Sequence, residues 1–258
     1  MTTRQFLISG WTWNPWLLAA MAAAFIGYRM LWGGRGRGGY WVAFLGVIGL
    51  ALMSPLHALA GGYLFSAHMV QHILLLLIAP ALALLSLPPS FSAAPGLRAL
   101  THPGIGWASG VGAMWLWHAS ALCNAAAASG AVFVLQTVSL LVLGGLFWGP
   151  ILAPGRQQGL PPLAGIVYLF TACLACSVLG VIITFSPVAV CPVFMHASDR
   201  LGLMELIRSR WGLTPEKDQQ LGGLLMWAPM CLIYLTAILG QLARWYAAPA
   251  TALPENAR

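Results

Sequence analysis

Phe65-Ser-Ala-His-Met-Val-Gln-His-Ile-Leu-Leu-Leu-Leu-Ile-Ala-Pro-Ala-Leu-Ala-Leu-Leu-Ser-Leu87 contains no Asp, Glu, Lys or Arg. About 20 consecutive apolar residues suffice for a helix to cross a bilayer, so this stretch reads as a membrane span whose first turns carry two histidines. Runs of the same kind recur on both sides of it, at about residues 16–31, 40–60, 106–126, 131–151, 163–185 and 220–246. Together with 65–87 they predict an all-α fold, a polytopic membrane helix bundle of about seven transmembrane helices, in one membrane domain over residues 1–258. The composition agrees: 60% of residues are hydrophobic, 7% are charged and the mean hydropathy is +0.83, far from the mixed usage of soluble domains. A transmembrane β-barrel would show segments of about ten residues with alternating polarity, and these runs do not alternate.

Outside the spans, the tryptophans around the first run predict a retained helix rather than a signal peptide. Pro55, Pro80, Pro187 and Pro229 lie within or beside helices, which membrane bundles tolerate, and Pro229 is expected to kink the last one. Pro88-Pro89, Pro154 and Pro161-Pro162 mark loops. The net charge of +7 comes from arginines, with the single Lys217, placed at the ends of apolar runs, a distribution that orients a protein in a bilayer and does not suggest nucleic acid. Arg29, Arg35 and Arg37 cluster at the first connection, while the connections after the second and fourth helices have no Lys or Arg. This predicts an N-terminus outside and a C-terminus inside, with Arg98, Arg156 and Arg244 inside. The longest loop, with Arg200, Arg208, Arg210 and Lys217, is then outside. In that loop Leu201, Met204, Ile207 and Trp211 recur at helical spacing, which fits either a helix lying on the membrane surface or a loop helix packed over the bundle.

His68 and His72 are one helical turn apart and project from one face, where two imidazoles can bind one metal. Strongly polar side chains at membrane depth are costly and tend to face the bundle interior in a functional role. His57, near the end of the second helix, and His118, in the second half of the fourth, approach the same outer face, so four histidines from three helices are able to converge. The alternative for His57 and His118 is an interfacial residue bonded to backbone or water. Neutral imidazole suits copper, zinc and iron, and thioether sulfur favours Cu(I), which gives Met69, Met226 and Met230 a supporting role. Cys173, Cys176 and Cys231 read as small buried hydrophobes. Cys123 and Cys191 map near the outer surface, where a disulfide and a transient copper contact both stay open. His196 reads as a surface residue and His102 as structural.

Several activities are set aside. No helix carries a lysine, so a retinal Schiff base is excluded, and no acidic residue is expected inside the helices, which disfavours a proton pump. No phosphate loop, serine-nucleophile elbow or soluble catalytic domain is present.

Ser66-Ala-His-Met-Val-Gln-His-Ile-Leu-Leu75, Trp117-His118, Leu179-Gly-Val-Ile-Ile-Thr-Phe-Ser-Pro187 and Leu221-Gly-Gly-Leu-Leu-Met-Trp-Ala-Pro229 resemble the CtaG family of caa-type cytochrome c oxidase assembly factors. The resemblance spans about residues 40–246 and is most specific in the block around His68 and His72. It implies a multi-pass protein of the bacterial cytoplasmic (inner) membrane that helps mature a haem-copper oxidase of the respiratory chain by handling copper. Residue by residue, His68, His72, His118 and Met226 match the family pattern. The chain departs from it at His57, where an acidic residue is common, at Ser120 in place of a proline, and at Cys123 and Cys191 in place of tyrosines. These departures set His57 and the two cysteines apart from the ligands the family implies.

Three functions are therefore expected in order. The first is a non-enzymatic assembly factor in which Cu(I) is held at the outer face by His68 and His72 with His118, Met226 and His57 nearby. By resemblance its partners are a cytochrome c oxidase subunit and a periplasmic copper carrier, and the lipid bilayer surrounds it. The second is a b-type haem-binding electron-transfer protein with His72 and His118 as axial ligands. The third is a copper transporter, for which the sequence below the histidines offers Gln136, Thr171 and the mid-membrane thiols.

Overall fold

The protein is described by a computed structural model covering residues 2–91, 102–152 and 159–247. Arg98, Arg156 and the loop break at Pro154 lie outside the described residues. Within them the chain is helical, with no strand. The helices in chain order are α1 (Thr3–Ser9), α2 (Pro15–Trp32), α3 (Gly38–Met53), α4 (Pro55–Ala60), α5 (Phe65–Ile73), α6 (Ala79–Ser86), α7 (Pro103–Trp117), α8 (Ser120–Ala128), α9 (Gly130–Leu152), α10 (Pro162–Phe185), α11 (Pro192–Met195) and α12 (Pro215–Tyr246).

Among the described residues, five helical stretches are long and apolar enough to cross a membrane: α2, the continuous run from α5 through α6, α9, α10 and α12. Their outward faces are apolar as well. On α10, Leu163, Val167, Phe170, Leu174, Val178 and Ile182 recur every three or four residues and are all exposed, the pattern of a face turned to lipid. The expected second and fourth helices are each broken. α3 stops at Met53 because Ser54 turns extended and Pro55 has no N–H to continue the ladder; the Ser54 hydroxyl caps α4 by accepting the Leu56 N–H at 3.2 Å. α7 stops without a proline. The His118 ring bonds to the Met114 carbonyl that the next helical N–H would use, and Ala119 is extended before α8 begins.

α5 and α6 are joined by one π turn, Leu74–Ile78. Pro80 removes the N–H that would bond the Leu76 carbonyl, and the wider turn accommodates the loss. Gly144 of α9 lies against that freed carbonyl and against the Pro80 ring, at a spacing that leaves no room for a Cβ. Gly222 of α12 leaves room in the same way for the Phe65 and Met69 side chains of α5, and Gly223 lies against the backbone of Gly180 and Thr184 on α10. Backbone-to-backbone approach at small residues is what holds helices together where lipid removes the hydrophobic drive.

One end of the bundle carries a second core, separate from the main one. Phe6, Ala60, Tyr63, Leu64, Leu203, Leu206 and Ile207 are buried together there. The 201–211 segment is thus packed over the bundle, the second of the two arrangements its periodicity allowed. Its buried positions are Leu203, Leu206 and Ile207, with Leu201 exposed, because the helical turns begin only at Met204 and Leu201 lies in the bend before them; residues Leu206–Arg210 form a π turn. The Tyr63 hydroxyl ties the segment down by accepting the Leu201 N–H at 2.6 Å. Cys123 and Cys191, both buried, are joined in a disulfide with Cα atoms 5.9 Å apart, which links α8 to the start of α11 at this same end.

Candidate functional site

α5 begins without a cap of its own, since Leu64 offers no side-chain acceptor. The acceptor comes from α12. Asp218, 1% exposed, accepts the backbone N–H of Phe65 at 2.6 Å, the N–H of Ser66 at 3.1 Å and the Ser66 hydroxyl at 2.5 Å. A carboxylate at a helix N-terminus satisfies orphan donors and complements the helix dipole. This corrects the sequence reading, which began the last helix at about residue 220, left Glu216, Lys217 and Asp218 in a loop, and so expected neither a lysine nor an acidic residue in a helix. Thr214 caps α12 with Pro215 in its first turn, a start signal that puts Asp218 inside the helix.

Anchored in this way, α5 presents His68 and His72 inward, both almost completely buried. Their Nε2 atoms are 3.1 Å apart. The Nδ1 atoms of both rings are buried without a hydrogen-bond partner. The two rings therefore share at most one proton between their Nε2 atoms, and each keeps an unanswered nitrogen on its far side.

His118 reaches the same place from the break at the end of α7. Its ring lies 5.1 Å from that of His72, centroid to centroid, and is buried. Because a carbonyl only accepts, the 2.5 Å contact with the Met114 oxygen fixes the proton on Nδ1. In the neutral ring Nε2 is then an unprotonated lone pair, and it stands 3.0 Å from the Met69 sulfur, which also has no proton to donate. Two electron-pair donors face each other across that gap. Phe65 and Phe194 close the cluster on the side of the second core; Phe194 lies 5.5 Å from His68 and 5.8 Å from Phe65 between ring centroids. Met226, fully buried, sits one turn along α12 from Gly222 and shares its face toward α5.

The structure thus brings His68, His72 and His118 together and places Met226 on the helix beside them. It keeps His57 apart. That residue is half-buried on α4, its Nδ1 lies 3.3 Å from the Gln71 amide nitrogen, and its ring packs on Phe133 at 5.4 Å. The Gln71 amide also donates to the Ala51 carbonyl at 2.6 Å, so His57 belongs to the bracing of α4 against α5. Among the described residues no three His, Cys, Asp or Glu side chains form a ready metal site. The donors come instead as two pairs, His68 with His72 and His118 with Met69. His196 is exposed, and His102 accepts the Gly104 N–H at 3.2 Å as the cap of α7.

Sequence reasoning underrated Met69 and missed Asp218. A methionine in an apolar helix carries no signal that separates ligand from packing. Asp218 has a legible helix-start signal, but its partners are 152 and 153 residues away.

The sequence model of the family described as cytochrome c oxidase caa3 assembly factor (Caa3_CtaG) matches residues 16–248. No curated protein and no solved structure matches the chain.

Proposed function

The chain belongs to the family of cytochrome c oxidase caa3 assembly factors, and on that premise we propose that it holds Cu(I) on its histidine cluster and hands it to an oxidase subunit. Copper is cargo here, and the role is non-enzymatic. The observation that carries the reading is the pairing of donors without protons to share, His118 Nε2 against the Met69 sulfur at 3.0 Å, beside the 3.1 Å pair of His68 and His72. Lone pairs that converge in a buried site repel one another unless an electron-pair acceptor lies between them. A soft monovalent cation answers imidazole and thioether together.

The bond from His118 Nδ1 to a backbone carbonyl supports the same reading, since metal-binding histidines commonly donate their other N–H in this way. Two nitrogens each about 2.0–2.1 Å from one ion at a tetrahedral angle lie about 3.3 Å apart, close to the 3.1 Å between His68 and His72. Met226 completes the soft surroundings, and His57 acts through Gln71 rather than as a ligand. A b-type haem between His72 and His118 is less well served, because their rings are in contact at 5.1 Å and would have to part to admit a macrocycle.

The proposed setting is the bacterial cytoplasmic membrane, with the histidine end facing outward, where a periplasmic carrier supplies the copper. The test is an anaerobic Cu(I) titration of the purified protein against a competing chelator, with the visible spectrum recorded first. The parent is expected to show no haem band and to bind Cu(I), and His72→Ala to bind at least about 10-fold more weakly with its helical content unchanged. Equal binding by parent and variant would overturn the assignment.

A further inference from the structure

Below the histidines, α10 and α12 bring three thiols into one interface. Cys173 Sγ lies 3.3 Å from Cys231 Sγ, in contact but unbonded. The Ser177 hydroxyl stands 3.3 Å from the same Cys231 sulfur and 4.0 Å from Cys173. One turn along, Cys176 Sγ is 3.8 Å from the Tyr234 hydroxyl. The histidine site uses none of these groups.

We propose that Cys173 and Cys231 form a second Cu(I) site inside the membrane, with the Ser177 hydroxyl beside it. Thiol sulfur selects soft ions, chiefly Cu(I) and zinc. Zinc in a structural site takes four ligands, and among the described residues no third His, Cys, Asp or Glu completes such a set here. Cu(I) is content with two sulfurs. Charge decides in the same direction, because apolar surroundings penalise a net ion. If Cu(I) binds and one thiol loses its proton to solvent, the site holds one cation, one thiolate and one neutral thiol, and it is uncharged. A divalent ion would need both protons to leave.

The position of the pair links it to the upper cluster. Met226 and Met230 are both fully buried, one turn apart on α12, and Cys231 follows directly. At 1.5 Å per residue the thiol level lies about 8 Å deeper than Met226. Sulfur donors therefore lie along α12 from the histidine layer at Met226, through Met230 one turn deeper, to the adjacent Cys231. The proposal extends the histidine reading without depending on it, since the two sites share no ligand.

The experiment measures copper stoichiometry and thiol protection on the purified full chain under argon. The parent is expected to bind two equivalents of Cu(I), Cys173→Ser with Cys231→Ser to bind one, and His72→Ala to bind one. In the parent, bound Cu(I) should slow alkylation of Cys173 and Cys231 by N-ethylmaleimide at least 10-fold, read by mass spectrometry, a measurement that needs no variant to fold. Cys173→Ala alone should also lose one equivalent. One equivalent lost only in His72→Ala overturns the thiol site and leaves the histidine reading intact. One lost only in the cysteine variants supports the thiol site and overturns the histidine reading. Equal alkylation with and without copper, or recovery of the pair as a disulfide, overturns the thiol site.

Discussion

At His118 one hydrogen bond has two effects. The bond to Met114 ends α7 and also fixes which ring nitrogen is free, so the fold at that point and the chemistry of the ring have a single cause. Met69 is the complementary case, a side chain whose packing and donor roles can be separated. Met69→Leu keeps the volume and removes the sulfur, so it is expected to cost less than about 1.5 kcal/mol of stability. Its Cu(I) affinity should nevertheless fall by roughly 10-fold, on the scale of a lost supporting contact at a metal site. Chelator competition beside a thermal melt checks both, and unchanged affinity would make Met69 a packing residue only. At this scale the sequence showed His68 and His72 clearly, because a four-residue spacing on one helix face is a local fact. It showed Met69 only as a neighbour, since what distinguishes that sulfur is a contact with His118, 49 residues away.

Among the elements, the helix runs were legible to within a few residues, and the interruptions were less so. Pro55 lay at the first break, yet the expected helix over about 40–60 ran through it, because membrane bundles tolerate proline. The second depends on a side chain competing for a backbone carbonyl, which no local pattern announces. The π turn before Pro80 leads to a prediction about packing. Gly144→Ala would drive a methyl into the Leu76 carbonyl and is expected to destabilise the bundle by about 1–3 kcal/mol, measured as a lower midpoint in a detergent-based thermal melt. A melt equal to the parent's would mean that α9 has room to move away. The disulfide between α8 and α11 closes a sequence separation of 68 residues. Replacing both Cys123 and Cys191 by serine is expected to lower stability by about 2–4 kcal/mol. The Asn124 side chain, which accepts the Val193 N–H at 3.0 Å, should keep α11 docked in that variant. Protease sensitivity confined to 190–200 would contradict that second expectation.

Over the whole molecule, an apolar bundle carries a small polar-edged core at one end, and the histidines lie just beneath it. The membrane class was visible from composition alone, because lipid leaves only helices available to long uncharged runs. The runs that carry the histidines were visible too, and the structure brings His68, His72 and His118 together between them. The proposed orientation rests on the arginines around α2 and α3, and it puts the histidine end outside and the C-terminus inside. Reporter fusions at residue 258 and in the 33–39 connection should both report the inside. A reporter active outside at either point would reverse the proposed direction of copper supply.

The carboxylate of Asp218 acts as an index mark between two helices. It accepts three hydrogen bonds from the first two residues of α5, and it does so from the first turn of the helix that also carries Met226 and Cys231. A slip of α5 by one residue would forfeit that set and turn His68 and His72 by about 100° away from His118. The side chains of the cluster are consequently held in register by the fold itself, and the ion proposed above would meet an aperture already set to size.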